Sequence, residues 1–450
     1  PVIARESSLV RLLEDYFGAD QTLEIEKVYD ELIGDGQEFQ LDMETGIDDD
    51  HEVNIEEASE APIIRLVNLV LADSIRRNAS DIHLESYQKD FRIRFRIDGI
   101  LYTVMTPPLR VKEAVISRVK IMANLDIGER RIPQDGRIKI QLTIGGRKKK
   151  IDFRVSTLPT LFGEKIVLRL LDPDKLPPDL GKLGFEQNAM ERFEKAIIKP
   201  YGMVLVTGPT GSGKTSTLYT SLVKLNTEEV NIMTAEDPVE FNFHGINQVQ
   251  INDQVGRTFA GALRSFLRQD PNIILVGEIR DLETAEIAVK AALTGHLLLS
   301  TLHTNDAPSS VVRLTNMGIE PFLVASALNI ICAQRLVRLI CPNCKEEDQV
   351  SPELLQSLGL EESEIESMTL YKGKGCKNCS GTGYKGRSGL YEVMENSPAI
   401  QELILSGATG SELRRTAREE GMITLREAGV MKLREGKTTV DEVLRETTLI

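Results

Sequence analysis

A chain of 450 residues exceeds one ordinary hydrophobic core, which predicts two or three domains. Its 41% hydrophobic and 27% charged residues are ordinary for a globular protein, and no apolar run is long enough to cross a bilayer. The net charge of −14 is concentrated in residues 1–60, where 19 acidic side chains face three basic ones (Arg5, Arg11, Lys27), so the rest of the chain sits near +2 and anionic partners stay open.

In residues 1–33, Leu9, Leu12, Leu13, Tyr16 and Phe17 recur at helical spacing, with Gly18 as a stop. The opening residues lack the charged-then-apolar pattern of a signal peptide. Residues 34–60 read as an acidic, solvated linker. Ala61–Asn78 predicts an amphipathic helix, with Ile63, Ile64, Val67, Leu71 and Ile75 on one face. The period then changes: Phe91–Ile97 alternates strictly, one face apolar and the other bearing Arg92, Arg94 and Arg96, and Asp98-Gly99 is a hairpin signal. Further strands are predicted at Gly136–Ile144, Ile151–Ser156 and Lys165–Leu171, making 61–172 a small α+β domain. Prolines 173, 177 and 178 mark a hinge over 173–184. From 185 to 340 the pattern is α/β, with buried strands at Met203–Thr207, Asn231–Ala235 and Ile273–Val276. A cysteine-bearing element spans 341–380, and 381–450 reads as a helical subdomain.

The strongest chemical signal is Gly208, Pro209, Thr210, Gly211, Ser212, Gly213, Lys214 and Thr215, followed by Ser216. Glycines let peptide N–H groups approach phosphates, and the following helix N-terminus adds partial positive charge. Lys214 then reaches the β and γ phosphates, and the Thr215 hydroxyl holds Mg²⁺. A nucleotide hydrolase also needs a carboxylate at the end of a neighbouring strand, and Glu278 follows the apolar run 273–276 and Gly277. Glu236, Asp237 and Glu240 follow the preceding strand, and either Glu278 or Glu240 is placed to act on water. His303 ends the run 297–302, where a γ-phosphate sensor is expected; His296 begins it. Cys341, Cys344, Cys376 and Cys379 form two C-x-x-C pairs, a ligand set that fits structural Zn²⁺ better than redox chemistry. Cys332 is left over as a small buried hydrophobe.

Together these motifs resemble the secretion ATPases that drive type II secretion and type IV pili, over about residues 61–450. Thr234–Glu240 resembles that family's Asp box, Gly277–Asp281 its atypical Walker B segment and Gly295–Asp306 its His box. The stretch Phe153–Lys165, Ala235 and Phe266–Asp270 are most similar to members that extend pili; type II secretion members share nearly every motif. Residues 1–18 resemble the tail of an N-terminal domain. The resemblance implies an α/β fold: a RecA-like P-loop ATPase domain, a preceding PAS-like α+β domain and a C-terminal helical, zinc-bearing region. It further implies a cytoplasmic homohexamer using ATP and Mg²⁺. Its expected partners are an inner-membrane platform protein and associated cytoplasmic pilus components. It gives roles at the phosphates to Arg154 and Arg169 of the α+β domain, and to Arg264 and Arg268 before the Walker B segment.

Two other readings compete. A nucleic-acid translocase would use the Arg92, Arg94 and Arg96 face, but Phe91 and Phe95 point the other way and leave no stacking platform, so no nucleic acid is expected. A non-hydrolysing nucleotide-binding scaffold is disfavoured by the intact set of Lys214, Thr215 and Glu278.

Overall fold

The structure, a computed structural model, describes residues 41–43, 62–144, 147–172, 174, 176–366 and 368–447. The chain divides after Asp172 into two compact units. The helices predicted in residues 1–33 lie outside the described residues. Of the acidic linker only Leu41–Met43 is described, and it forms strand β1 rather than an unpaired spacer, because the edge of a neighbouring strand is open to it.

In the first unit, α1 (Pro62–Arg76) and α2 (Lys112–Met122) share a core with one face of a seven-stranded sheet. Its other strands are β2 (Asp81–Ser86), β3 (Phe91–Ile97), β4 (Ile100–Met105), β5 (Gln134–Ile144), β6 (Arg147–Thr160) and β7 (Gly163–Leu171). The order is β1-β5-β6-β7-β2-β3-β4, antiparallel throughout. Alternation in β3 buries Phe91, Ile93 and Phe95 against Leu71 and Val115. Asp98 and Gly99 both take positive φ (48° and 89°), as a tight two-residue hairpin turn requires.

The arginines of β3 are paired: Arg94 grips Glu85 through two bonds of 2.6 and 2.8 Å, Arg96 meets Asp81 at 3.5 Å, and Arg92 bonds Asp90. Cross-strand register sets Arg137, Arg154, Arg169, Asp81 and Arg96 side by side on five adjacent strands.

The second unit is wound around a second seven-stranded sheet. In chain order its elements begin α3 (Gln187–Ile197), β8 (Gly202–Thr207), α4 (Lys214–Leu225), β9 (Ile232–Glu236), β10 (Ile246–Gln250) and α5 (Phe259–Phe266). Then come β11 (Ile273–Val276), α6 (Leu282–Leu293), β12 (Leu297–Leu302), α7 (Pro308–Asn316), α8 (Pro321–Ala327) and β13 (Leu328–Ile340). The sheet runs β10-β9-β11-β12-β8-β13-β16, parallel except for β16 (Tyr384–Glu395) at the edge. Strands covered on both faces must be apolar throughout, and β8, β11 and β12 are buried end to end. Val204 and Val206 pack with α3 and α4 on one face; Met203 and Leu205 pack with α5, α6 and the C-terminal helices on the other.

Between β13 and β16 lie β14 (Lys345–Asp348), α9 (Pro352–Gln356), α10 (Glu362–Glu366) and β15 (Leu370–Gly373), with β14 and β15 forming a small ribbon. The end of the chain carries α11 (Pro398–Leu405), α12 (Gly410–Glu419), α13 (Leu425–Arg434) and α14 (Val440–Glu446). The subdomain expected to be helical over 381–450 carries these four helices, but it opens with a strand. Residues 384–395 extend the main sheet by pairing antiparallel with β13. The burial of Leu390–Met394 on both faces erases the two-residue period that marks a strand.

Candidate functional site

The phosphate loop joins the C-terminal end of β8 to the first turn of α4. Its curvature depends on glycines: Gly208 has φ 146° and Gly213 φ 91°, and a Cβ on either would lie within 2.8 Å of Gln334. Lys214 folds back on its own loop, donating to the carbonyls of Gly208 (2.7 Å) and Pro209 (3.1 Å). Burial draws its ammonium down to about 8, against an opposing pull from Glu278 and with a further push from Arg335. Thr215 is exposed in the first turn of α4. The buried hydroxyls of Ser212 and Thr207 have no hydrogen-bond partner among the described residues, so the loop retains unused polar atoms beside the groups that would meet phosphate.

One strand, β12, separates β8 from β11, and the two acid–base candidates sit at the ends of β12 and β11. Ser300 donates to the carbonyl of Val276 (2.7 Å), Thr301 to that of Gly277 (2.7 Å), and Ile279 N–H returns to Thr301 (3.1 Å). This lacing holds Glu278 opposite His303, with His303 Nε2 at 3.0 Å from the carboxylate. Burial pushes the Glu278 carboxyl upward, but hydrogen bonds from Arg280 and His303 outweigh it and leave it below its usual value. Glu278 is therefore an ionised carboxylate within electrostatic reach of Lys214. His296 is at the opposite end of β12, its ring nitrogen 3.0 Å from the carbonyl of Ala291.

Glu236 ends β9 as a buried carboxylate engaged by Tyr219, Thr234 and Gln248. The Tyr219 hydroxyl, on α4, also accepts from the Glu240 peptide N–H at 3.3 Å. One tyrosine thus ties the phosphate-loop helix to the segment of Glu236, Asp237 and Glu240. Asp237 is exposed and lies within the field of Arg280. Arg264 pairs with Glu283 at 2.6 Å, and Arg268 bonds the Arg264 carbonyl at 2.9 Å; neither bonds a residue of the phosphate loop. In the first unit, Arg169 meets Asp81 at 3.0 Å and Arg154 is half-buried beside it in register.

Sequence reasoning missed Tyr219, Gln334 and Arg335. Gln334 accepts from Thr217 of α4 at 2.8 Å, while Arg335 crosses to Asn305 (3.1 Å to its carbonyl). No local motif marks them, because each acts through a partner distant in the chain.

The four cysteine sulfurs lie within 4.8 Å of one another. Cys341–Cys376, Cys344–Cys379 and Cys376–Cys379 are 3.9, 3.8 and 3.7 Å apart. Zn–S bonds of about 2.3 Å in a tetrahedron give an edge of roughly 3.8 Å, so the set fits zinc. Peptide N–H groups of Gly375, Cys376 and Gly383 point at Cys344 or Cys379 sulfur at 3.2–3.3 Å, stabilising thiolate.

The model of the family described as Type II/IV secretion system protein matches residues 56–445. The Type IV pilus assembly ATPase PilB of Myxococcus xanthus is 54% identical over 447 residues, covering 99% of this chain and 77% of that protein. The Type II secretion system ATPase E of Vibrio cholerae is 48% identical over 393 residues, 87% of this chain and 77% of that protein. Among solved structures, the ATPase DotB of Legionella pneumophila shares the fold at a TM-score of 0.61, with 21% identity, over 84% of this chain and 94% of that one. The pilus retraction motor PilT with bound ADP aligns at 0.54, with 24% identity, over 84% and 96%. The RecA-like arrangement implied by the resemblance is the observed one. The chain belongs to the type II/IV secretion system family and is an ATPase of that family.

Proposed function

We propose that this chain is the ATP-driven motor of type IV pilus assembly, acting as a homohexamer on an inner-membrane platform protein at the cytoplasmic face. The observation that carries the hydrolytic half is the ionised Glu278, held by His303 at the end of β11 and coupled to Lys214. Lys214 leaves the Gly208 and Pro209 carbonyls for the triphosphate, and loop N–H groups take the phosphate oxygens. Thr215 would hold Mg²⁺, which neutralises phosphate charge when bound. Glu278 orients water and accepts its proton, and His303 fixes the carboxylate. Glu236 is committed to three donors, so it positions the segment carrying Glu240 rather than reacting. Arg154 and Arg169 supply positive charge during hydrolysis, and Arg264 and Arg268 are surface groups suited to a neighbouring subunit. The cysteine cluster holds a structural Zn²⁺.

The pilus assignment is supported by four assembly ATPases, 45–54% identical, that align over most of this chain. The second reading, a type II secretion motor, is supported by relatives at 48 and 49%. Replacing Lys214 with Ala in the host tests between them. The pilus reading expects surface pili to vanish while type II substrates are still exported; lost export with pili intact would overturn it. Mass photometry with ATP tests the ring, with a six-chain mass expected and a stable monomer contradicting it.

A further inference from the structure

The second unit contains a cavity of about 500 Å³ to which ATP hydrolysis assigns no role. Pro209 of the phosphate loop and Asn305 and Asp306 after β12 border one side; α12, α13 and the end of α14 border the other. It adjoins the phosphate loop through Pro209, and Arg335 is near enough to act on Lys214 electrostatically. Gln334 turns towards α4, where it accepts from Thr217, so Arg335, the next residue of β13, faces the other side of the sheet.

Arginines dominate its polar lining, and three of them are neutralised. Arg414 pairs with Asp306 (3.1 Å), Arg418 with Glu427 (2.6 Å) and Arg445 with Glu442 and Glu446 (2.7 and 3.0 Å). Arg335 and Arg426 differ. They are 8% and 9% exposed, and neither forms an ion pair among the described residues. Among the described residues Arg335 donates to Gln334 and Asn305 oxygens (3.0–3.2 Å), and Arg426 to the carbonyls of Ser357 (3.4 Å) and Thr447 (2.9 Å). The Nε of Arg426 is buried with no hydrogen-bond partner among the described residues. The remaining wall carboxylate, Glu392, accepts instead from the peptide N–H groups of Ala307 (2.8 Å) and Leu425 (3.3 Å). Among the described residues both buried guanidinium groups hydrogen-bond only neutral oxygens; Glu446, Glu392 and Asp306 act on Arg335 at longer range, and no such carboxylate acts on Arg426, so an anion held directly by the two forks relieves a desolvation cost.

We propose that this cavity binds a phosphate-type oxyanion, with Arg335 and Arg426 as its ligands. A guanidinium fork matches phosphate oxygens in pairs, which neutral carbonyls cannot do. Two sources share that chemistry: product phosphate leaving the loop past Pro209, and free phosphate from solution.

The test is calorimetric titration of inorganic phosphate into the full chain carrying Lys214→Ala, which silences the phosphate loop. One saturable site per chain is expected, weakened tenfold or more by adding Arg426→Gln; absence of a saturable site overturns the proposal. Should Arg426→Gln unfold the chain, Arg426→Lys keeps the charge and loses the fork. A several-fold weaker site is then expected, and unchanged affinity overturns the assignment. The source is read from phosphate release after one ATP turnover, in the chain that differs only by Arg426→Lys. An altered release rate supports the site with product phosphate as occupant, and an unaltered one supports it with solution phosphate. Unchanged ATP turnover in Lys214→Ala would defeat the role given to Lys214, whereas a weaker phosphate site in Arg426→Gln would still assign the anion to this cavity.

Discussion

Burial leaves the Lys214 ammonium at about 8, where its protonation changes within an accessible range. The protonated amine is the form that pairs with phosphate, so its contribution is present below that value and lost as pH rises through it. Steady-state kcat/KM for ATP, which reports the free enzyme, is expected to fall above about pH 8. A profile flat to pH 9.5 would contradict this. Tyr219 makes a different demand. Its hydroxyl serves the buried Glu236 carboxylate and the Glu240 peptide N–H, so Tyr219→Phe strands two polar groups. A loss of about 1–3 kcal/mol in stability is expected by thermal or denaturant unfolding. An unchanged midpoint would show that water replaces the hydroxyl. Neither Tyr219 nor Gln334 was legible from sequence, because strand pairing and helix packing bring their partners in. Lys214 was legible because its neighbours in sequence are its neighbours in space.

At the scale of elements the same distinction holds. The hairpin at Asp98-Gly99 and the strand β3 could be read from local pattern, since one covered face leaves a clean alternation. Strand β16 could not, because Leu390–Met394 is buried on both sides, and the surrounding Glu, Leu and Lys content reads as helix. The cysteine element was readable as a ligand set, but not its packing: Cys341 N–H bonds Gly383, which links the end of β13 to the start of β16. Zinc removal is therefore expected to loosen this junction. Purified chain should carry about one zinc per chain. Cys344→Ser or strong chelation should remove it and lower the unfolding temperature. A zinc-free chain of unaltered stability would contradict a structural role.

For the whole molecule, the two units carry different groups. The second holds every group of the phosphate loop and the Glu278–His303 pair. The first offers a cross-strand row of Arg137, Arg154, Arg169, Asp81 and Arg96, in which Asp81 is the single carboxylate. Charge of that kind stabilises phosphate oxygens during transfer. Arg154→Gln with Arg169→Gln should lower turnover at least tenfold with ATP affinity changed only a few-fold; wild-type turnover would remove the row from the reaction. On the function proposed above, it is Glu278 that turns a nucleotide-binding loop into a hydrolase. The most direct test is steady-state phosphate release by Glu278→Gln, with ATP binding measured in parallel. Binding within a few-fold of wild type and turnover reduced by about 10²-fold or more are expected for loss of a general base. Turnover within twofold of wild type would contradict the account.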